Sequence, residues 1–295
     1  MIAVISGLLT LTCCRPSSLP TEKSRITEAL LPYQDTPGVG VCVITDAGDT
    51  IGTKADSIYP MMSVFKMHQA LALLHCLDSI GAKSDTLLHI ISSEELHKDT
   101  WSPLAKEGRG DEFDISVREL LAYTMQQSDN NACDILFNHL YDVAQTDRFT
   151  ASLSLPGRTS ITQDENAMHR DSTAWMKNYC TPKAAAALVW RIFNDSIISP
   201  QAQQELRSIM LECRTGQNRI PAMIGNKISH IGHKTGTGDV IDGIVTAIND
   251  VAYIKTKSGR EYALAVFIHN FHGSPDKAEV MTAEISAAVC RAIEP

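Results

Sequence analysis

The sequence predicts an α+β fold in which an antiparallel sheet, assembled from both ends of the chain, carries the first and last helices. An all-helical lobe fills the middle. Two observations lead there. Apolar runs of strand length, bounded by turn residues, lie near the two ends, at residues 38–59 and 228–271. Between them apolar residues return at three- and four-residue intervals, the period of a helix with one buried face. Joining the terminal strands into one sheet is the simplest packing. A cleft then runs between sheet and helices, where small-molecule sites tend to form.

In chain order, residues 1–20 read as a leader and linker. The apolar run from Ile2 to Thr12 is too short to span a bilayer and gives way to a Pro/Ser-rich stretch, as after the h-region of a secretory signal. No Lys or Arg precedes it, and Cys13 or Cys14 is a candidate for lipid modification. Export to a bacterial periplasm is the expectation, with no stable membrane span. Residues 21–295 are expected to form one domain of two lobes, a sheet lobe of about 21–60 and 220–295 and a helical lobe of about 61–219.

Within that domain "KSRITEALLPY" reads as a short amphipathic helix, and "GVGVCVIT" and "TIGTKADSIY" as strands joined by the turn "DAGD". Helices follow over Ser63 to Ile80, around "SVRELLAYTM", over "NNACDILFNHLYDVA", over "TPKAAAALVWRIFND" and over "SPQAQQELRSIMLEC". Residues 155–180 form a long, weakly periodic connector, a length that often signals function. Three strands come last, "ISHIGHKTGTG", "GIVTAINDVAYIKT" and "YALAVFIHNF", and then a helix from Pro275.

Composition narrows the function. The 295 residues are 44% hydrophobic and 20% charged, with a net charge of −8 and no Lys/Arg run, which argues against a nucleic-acid partner. Ten histidines occur without metal-ligand spacing, so no metal and no cofactor is expected. The six cysteines after the leader show no C-x-x-C pair and sit mostly in apolar runs, as buried thiols do.

The chemistry starts at "YPMMSVFKMHQALALL", residues 59–74. Ser63 and Lys66 lie one helical turn apart on one face, as a nucleophile and its base would. S-x-x-K is expected by chance roughly once in a chain of this length, and a second copy, Ser274 to Lys277, reads as an ordinary helix start with Pro275 at its first position. Support comes from "SDN" at Ser128, Asp129 and Asn130, and from "KTG" at Lys234, Thr235 and Gly236. Each tripeptide is expected well under about once in ten such chains.

S-x-x-K, SDN and KTG in this order resemble the serine β-lactamases of class A and the related penicillin-binding proteins. Class A enzymes add a glutamate in an omega-shaped loop, commonly within E-x-x-L-N. Here "ENAMH" offers Glu165, with Met168 for the leucine and His169 for the asparagine. That departure is similar to an extended-spectrum, cephalosporinase-like branch, partly of Bacteroidota, to which "MMSVFKMHQALAL", "QSDNNACDILF" and "NDVAYI" are also similar.

The resemblance covers residues 24–295 and implies the serine β-lactamase/DD-peptidase-like fold and a β-lactam substrate; a monomer is expected. It implies that Ser63 attacks the β-lactam carbonyl, with the backbone N–H groups of Ser63 and Thr237 as the oxyanion hole. Lys66 is implied within hydrogen-bond reach of Ser63. Glu165 would activate the water that hydrolyses the acyl-enzyme, with His169 helping to hold that water; which of Lys66 and Glu165 starts acylation stays open. Ser128 would relay a proton to the ring nitrogen between Lys66 and Lys234, and Asn130 would bond Lys66 and the substrate's side-chain amide. Lys234, Thr235, Thr237 and Arg219 of "TGQNRI" would bind the substrate carboxylate, and Trp101 of "DTWSP" would stand at the cleft mouth. The rivals are a DD-peptidase, a glutaminase-like amidohydrolase and a receptor that stops at the acyl stage. Glu165, the SDN and KTG pair and the missing membrane spans argue against each in turn.

Overall fold

The structure, a computed structural model, describes residues 19–171 and 173–295. The leader through residue 18, with Cys13 and Cys14, lies outside the described residues.

Thr21 caps helix α1 (Glu22–Leu30), its hydroxyl accepting the Ser24 amide. Strands β1 (Val39–Thr45) and β2 (Thr50–Thr53) form a hairpin. The sequence reading carries this second strand on to Tyr59, but Lys54 adopts a φ of 48° and breaks it, so Tyr59–Pro60 becomes a separate short strand, β3. A 3₁₀ turn, Met62–Val64, then leads into helix α2 (Phe65–Ser79). Next come β4 (Leu87–Ile91), the short helices α3 (Ser92–Glu95) and α4 (Pro103–Lys106), and β5 (Glu112–Ser116), which pairs antiparallel with β4.

Helix α5 (Val117–Gln126) opens on a capping box between Ser116 and Glu119. Asp129 caps α6 (Asn130–His139), and Asp142, with Gln145 reciprocating, caps α7 (Val143–Ser152). The second capping box divides what the apolar spacing reads as one helix over 130–144. The long connector is not structureless: it holds β6 (Thr159–Ser160), helix α8 (Glu165–Arg170) and β7 (Tyr179–Cys180), with β7 pairing between β3 and β6. Helices α9 (Pro182–Asn194) and α10 (Pro200–Leu211) each start with a Thr or Ser cap followed by proline. Strands β8 (Ile228–Thr237), β9 (Val240–Ile241), β10 (Ile244–Thr256) and β11 (Glu261–Phe271) precede the closing helix α11 (Pro275–Ile293).

The main sheet is antiparallel in the order β2-β1-β11-β10-β8, with β9 on β10, so both ends of the chain supply it. Its strands are apolar on both faces because both are covered. Tyr262, Leu264, Val266 and Ile268 of β11 pack with Ile26, Ile285 and Val289 of α1 and α11, while Ala263, Ala265 and Phe267 face the larger core that includes Ala185, Leu188 and Val189 of α9. The middle helices are therefore not all in a separate lobe, since α9 is the second cover of the sheet. Helix α2 runs through the larger core, with Phe65, Met67, Leu71 and Leu73 essentially without solvent contact. This rigid helix fixes the direction in which its first turn points.

Candidate active site

The first turn of α2, the α5–α6 turn, α8 and the outer strand β8 meet in a cleft of about 660 Å³. Ser63, Trp101, Ser128, Asn130, Glu165, His169, Arg219, Thr235 and Thr237 line it, and Lys66 and Lys234 lie fully buried beneath. All eleven sequence candidates thus come to one place.

Local backbone strain flanks the centre. Met62 (φ 46°) and Ser128 (φ 60°) occupy the left-handed region, which is unfavourable for residues with a Cβ and recurs at functional sites. The glycine of "KTG" is needed for contact, because a Cβ on Gly236 would fall 2.4 Å from the Met61 carbonyl oxygen. Strand β8 and the segment before Ser63 touch backbone to backbone. Asn249 of β10 secures the same junction by donating to Pro60 O at 2.8 Å and Met61 O at 3.2 Å.

Ser63 is no helix cap. Its hydroxyl donates to Glu165 Oε1 at 3.3 Å, and the Lys66 ammonium reaches the same oxygen at 2.8 Å. Lys66 also donates to Ser128 O at 2.9 Å and Asn130 Oδ1 at 2.7 Å, which accounts for all three of its donors. The sequence candidates place the Lys66 amine on Ser63; the fold places the Glu165 carboxylate there. Ser274, in the second S-x-x-K, has only the helix-start geometry, with Pro275 next and its backbone carbonyl accepting the Lys277 amide.

Lys234 donates to Ser128 Oγ at 2.9 Å and to Thr235 O at 3.0 Å. Burial, reinforced by the neighbouring Lys66 charge, lowers its pKa to about 7. Asp129 is structural: its carboxylate accepts from Ser102 Oγ, Leu104 N and Ala132 N.

Arg219 is saturated. Its guanidinium donates to Gly236 O, Asn249 O, Thr237 Oγ1 at 2.7 Å and twice to Glu279 Oε1, the full set of five N–H groups. It reaches the cleft through Thr237 rather than with a free donor. His169 is likewise turned to a protein partner: its Nε2 is 3.0 Å from Asp99 Oδ2 across the mouth, away from the water-holding role that the resemblance implies. Trp101 is half exposed, donates from Nε1 to Gln127 O at 2.9 Å and accepts the Asn130 amide on its carbonyl.

Several functional positions carry no sequence signal. Asp134, five residues past Asp129, accepts the Glu165 amide at 2.9 Å and the Asn166 amide at 2.8 Å, and so orients α8. Burial, with Glu165 and Asp164 nearby, raises its pKa to about 8. Asn178 staples the connector through the Thr162 and Gln163 amides and Gln163 O, while its own carbonyl accepts the Met61 amide. Thr215 joins its hydroxyl to that of Thr235 at 2.7 Å. Each is defined by a tertiary contact, which no short motif encodes.

A sequence profile of the beta-lactamase enzyme family matches residues 22–293. A beta-lactamase of Phocaeicola vulgatus is 42% identical over 256 residues, covering 86% of this chain and 79% of that protein. The extended-spectrum beta-lactamase PER-1 of Pseudomonas aeruginosa is 29% identical over 90% of this chain and 85% of its own length. The crystal structure of a class A beta-lactamase from Bacteroides cellulosilyticus superposes with a TM-score of 0.86 at 29% identity, covering 92% of this chain and 98% of that one. The chain belongs to the beta-lactamase enzyme family, as a class A member that hydrolyses the β-lactam amide.

Proposed function

We propose that hydrolysis proceeds through a Ser63 acyl-enzyme released by a Glu165-activated water. The observation that carries this reading is the convergence of the Ser63 hydroxyl and the Lys66 ammonium on one oxygen of Glu165. In this arrangement Glu165 takes the Ser63 proton during attack, and Lys66 balances the carboxylate's charge. The oxyanion forms against the backbone N–H groups of Ser63, at the head of α2, and Thr237, on the outer strand of the sheet. As the amide opens, Ser128 passes a proton to the departing ring nitrogen and is resupplied from Lys234, 2.9 Å away. Glu165 then passes on the proton it took from Ser63, which restores the charge on Lys234, and the carboxylate, ionised again, deprotonates water for attack on the ester.

Lys234 and the Thr235 and Thr237 hydroxyls bind the substrate carboxylate, with Arg219 holding Thr237 in place. Asn130 and Trp101 bound the substrate's side chain. The Asp99–His169 pair holds the loop across the mouth. Cephalosporins and penicillins are the substrate class, with cephalosporins favoured by Thr237 on the strand edge and by the likeness to PER-1. The protein acts as an exported monomer of the periplasm, and no described helix is long and apolar enough to cross a membrane.

Rapid mixing of the protein with a chromogenic cephalosporin, with intact mass read in parallel, tests the reading. It expects steady turnover with a transient adduct on Ser63. An adduct that forms once and stays contradicts it in favour of a penicillin-binding protein.

A further inference from the structure

We propose that Cys213 is an activated thiol, a site of covalent modification by small sulfur electrophiles, and that a group added there disables the substrate-binding edge of β8 through Thr215. Only the functional consequence rests on the hydrolytic reading above; the chemistry of the thiol does not.

Cys213 follows the C-terminus of α10 and lies beside a buried pair, His233 and Asp250, that the catalytic cycle leaves unused. His233, beside Lys234 on β8, is buried with its Nδ1 2.9 Å from Asp250 Oδ1. The other oxygen of Asp250 accepts the Ile220 amide, so the carboxylate is fixed and orients the ring. The remaining ring nitrogen, Nε2, is buried, makes no full hydrogen bond and faces the Cys213 thiol. On its other side the sulfur lies 3.5 Å from Thr215 Oγ1, the hydroxyl that meets Thr235 Oγ1 at 2.7 Å. A continuous line of contacts therefore runs from Asp250 through His233, Cys213 and Thr215 to the floor of the cleft.

The charges that face the thiol favour its ionised form. Burial alone would raise the Cys213 pKa, but His233 and then Lys234 outweigh it and lower the thiol to about 7. For His233, burial opposes the charged ring, and Asp250 and Cys213 overcome it to hold the imidazole at about 10. At Cys42 burial outweighs the Lys183 charge and pushes the thiol up to about 12. Cys213 also keeps 9% of its surface, where Cys133 and Cys180 keep none.

With methyl methanethiosulfonate as probe, the Cys213 thiolate attacks the divalent sulfur of the reagent. A Cys213–S–S–CH3 bond forms, the reagent's S–S bond breaks, and methanesulfinate leaves with the electron pair while the thiol's proton remains on His233. No external oxidant is required. The added methylthio group competes for the space beside Thr215 and detaches its hydroxyl from Thr235.

The full protein is treated with the reagent, and labelling at each cysteine is followed by peptide mass mapping alongside the hydrolysis rate. At pH 7 Cys213 is expected to label faster than the more exposed Cys76, with a rate half-maximal near pH 7. KM is expected to rise by roughly tenfold or more, the weight of one hydrogen bond to a charged group, with kcat little changed and full reversal by dithiothreitol. Cys213→Ser should hydrolyse like the parent and resist the reagent, and Cys76→Ser should remain sensitive. Labelling of Cys76 with Cys213 untouched overturns the proposal, as does labelling of Cys213 without a change in KM. A parent protein inactive before treatment sinks the hydrolytic reading instead, and the labelling rates still judge the thiol.

Discussion

Substituting Gly236 by alanine tests the junction that sets the distance between β8 and Ser63. The new Cβ would lie 2.4 Å from Met61 O, 3.1 Å from Met62 Cβ and 3.2 Å from Asn249 Nδ2. Ordinary contact needs about 3.4 Å, so the strand and the segment carrying Ser63 must part by about 1 Å, against two backbones and a side-chain amide that are all tied in place. Overpacking of this kind costs about 1–3 kcal/mol of stability. A misplacement of about 1 Å at a reacting centre costs on the order of 100-fold in rate. Gly236→Ala is therefore expected to remain folded with a modest fall in Tm, and to lose about two orders of magnitude in kcat/KM with a chromogenic cephalosporin. Gly243→Ala is the control: its φ of 77° imposes backbone strain, but nothing lies within 4 Å of the added Cβ, so it should lose stability and keep activity. Unchanged activity in Gly236→Ala, or an equal loss in Gly243→Ala, refutes the reasoning.

Three further outcomes follow from the same geometry. Because Lys234 titrates at about 7 in the fold, it carries its charge below that pH and loses it above, so kcat/KM for a carboxylate-bearing β-lactam should fall as pH rises through 7; Lys234→Arg should move this limb beyond the range of the assay, and a limb that stays in place assigns it to another group. Asn178→Ala leaves the part-buried Thr162 and Gln163 amides without their acceptor, at about 1 kcal/mol for each bond; the loosened connector should slow deacylation more than acylation, seen as accumulating adduct by intact mass, and equal slowing of both steps counts against it. Arg219→Lys replaces five donors with three, so the four acceptors Glu279 Oε1, Gly236 O, Asn249 O and Thr237 Oγ1 cannot all be served; KM should rise about tenfold, on the scale of one charged hydrogen bond, and an unchanged KM removes Arg219 from carboxylate binding.

Legibility followed the range of the interactions. The strands at both ends and the middle helices were readable because burial on both sheet faces and along α2 leaves long apolar runs, and because Thr181, Ser199 and Pro275 mark helix starts. The short pieces were not. Strands β3, β6 and β7 have two residues each, and β4 and β5 are separated by two small helices, so neither set leaves a periodic pattern. The same division holds in the cleft. Ser63, Lys66, Ser128, Asn130 and the residues of "KTG" stand in tight motifs because one turn or one strand presents each group together. The oxygen that Ser63 meets, the partner of His169 and the four acceptors around Arg219 come from distant segments. Glu279 lies on the closing helix, far in sequence from the arginine it neutralises.

Replacement of Glu165 by alanine measures the central claim most directly. With its carboxylate gone, the Ser63 hydroxyl keeps only solvent as a proton acceptor beside the Lys66 ammonium, and the hydrolytic water has no base. On mixing Glu165→Ala with a cephalosporin, the account predicts slow formation of one equivalent of adduct on Ser63 that persists without turnover. Continued multiple turnover at the parental rate, or an adduct carried on another residue, would contradict it.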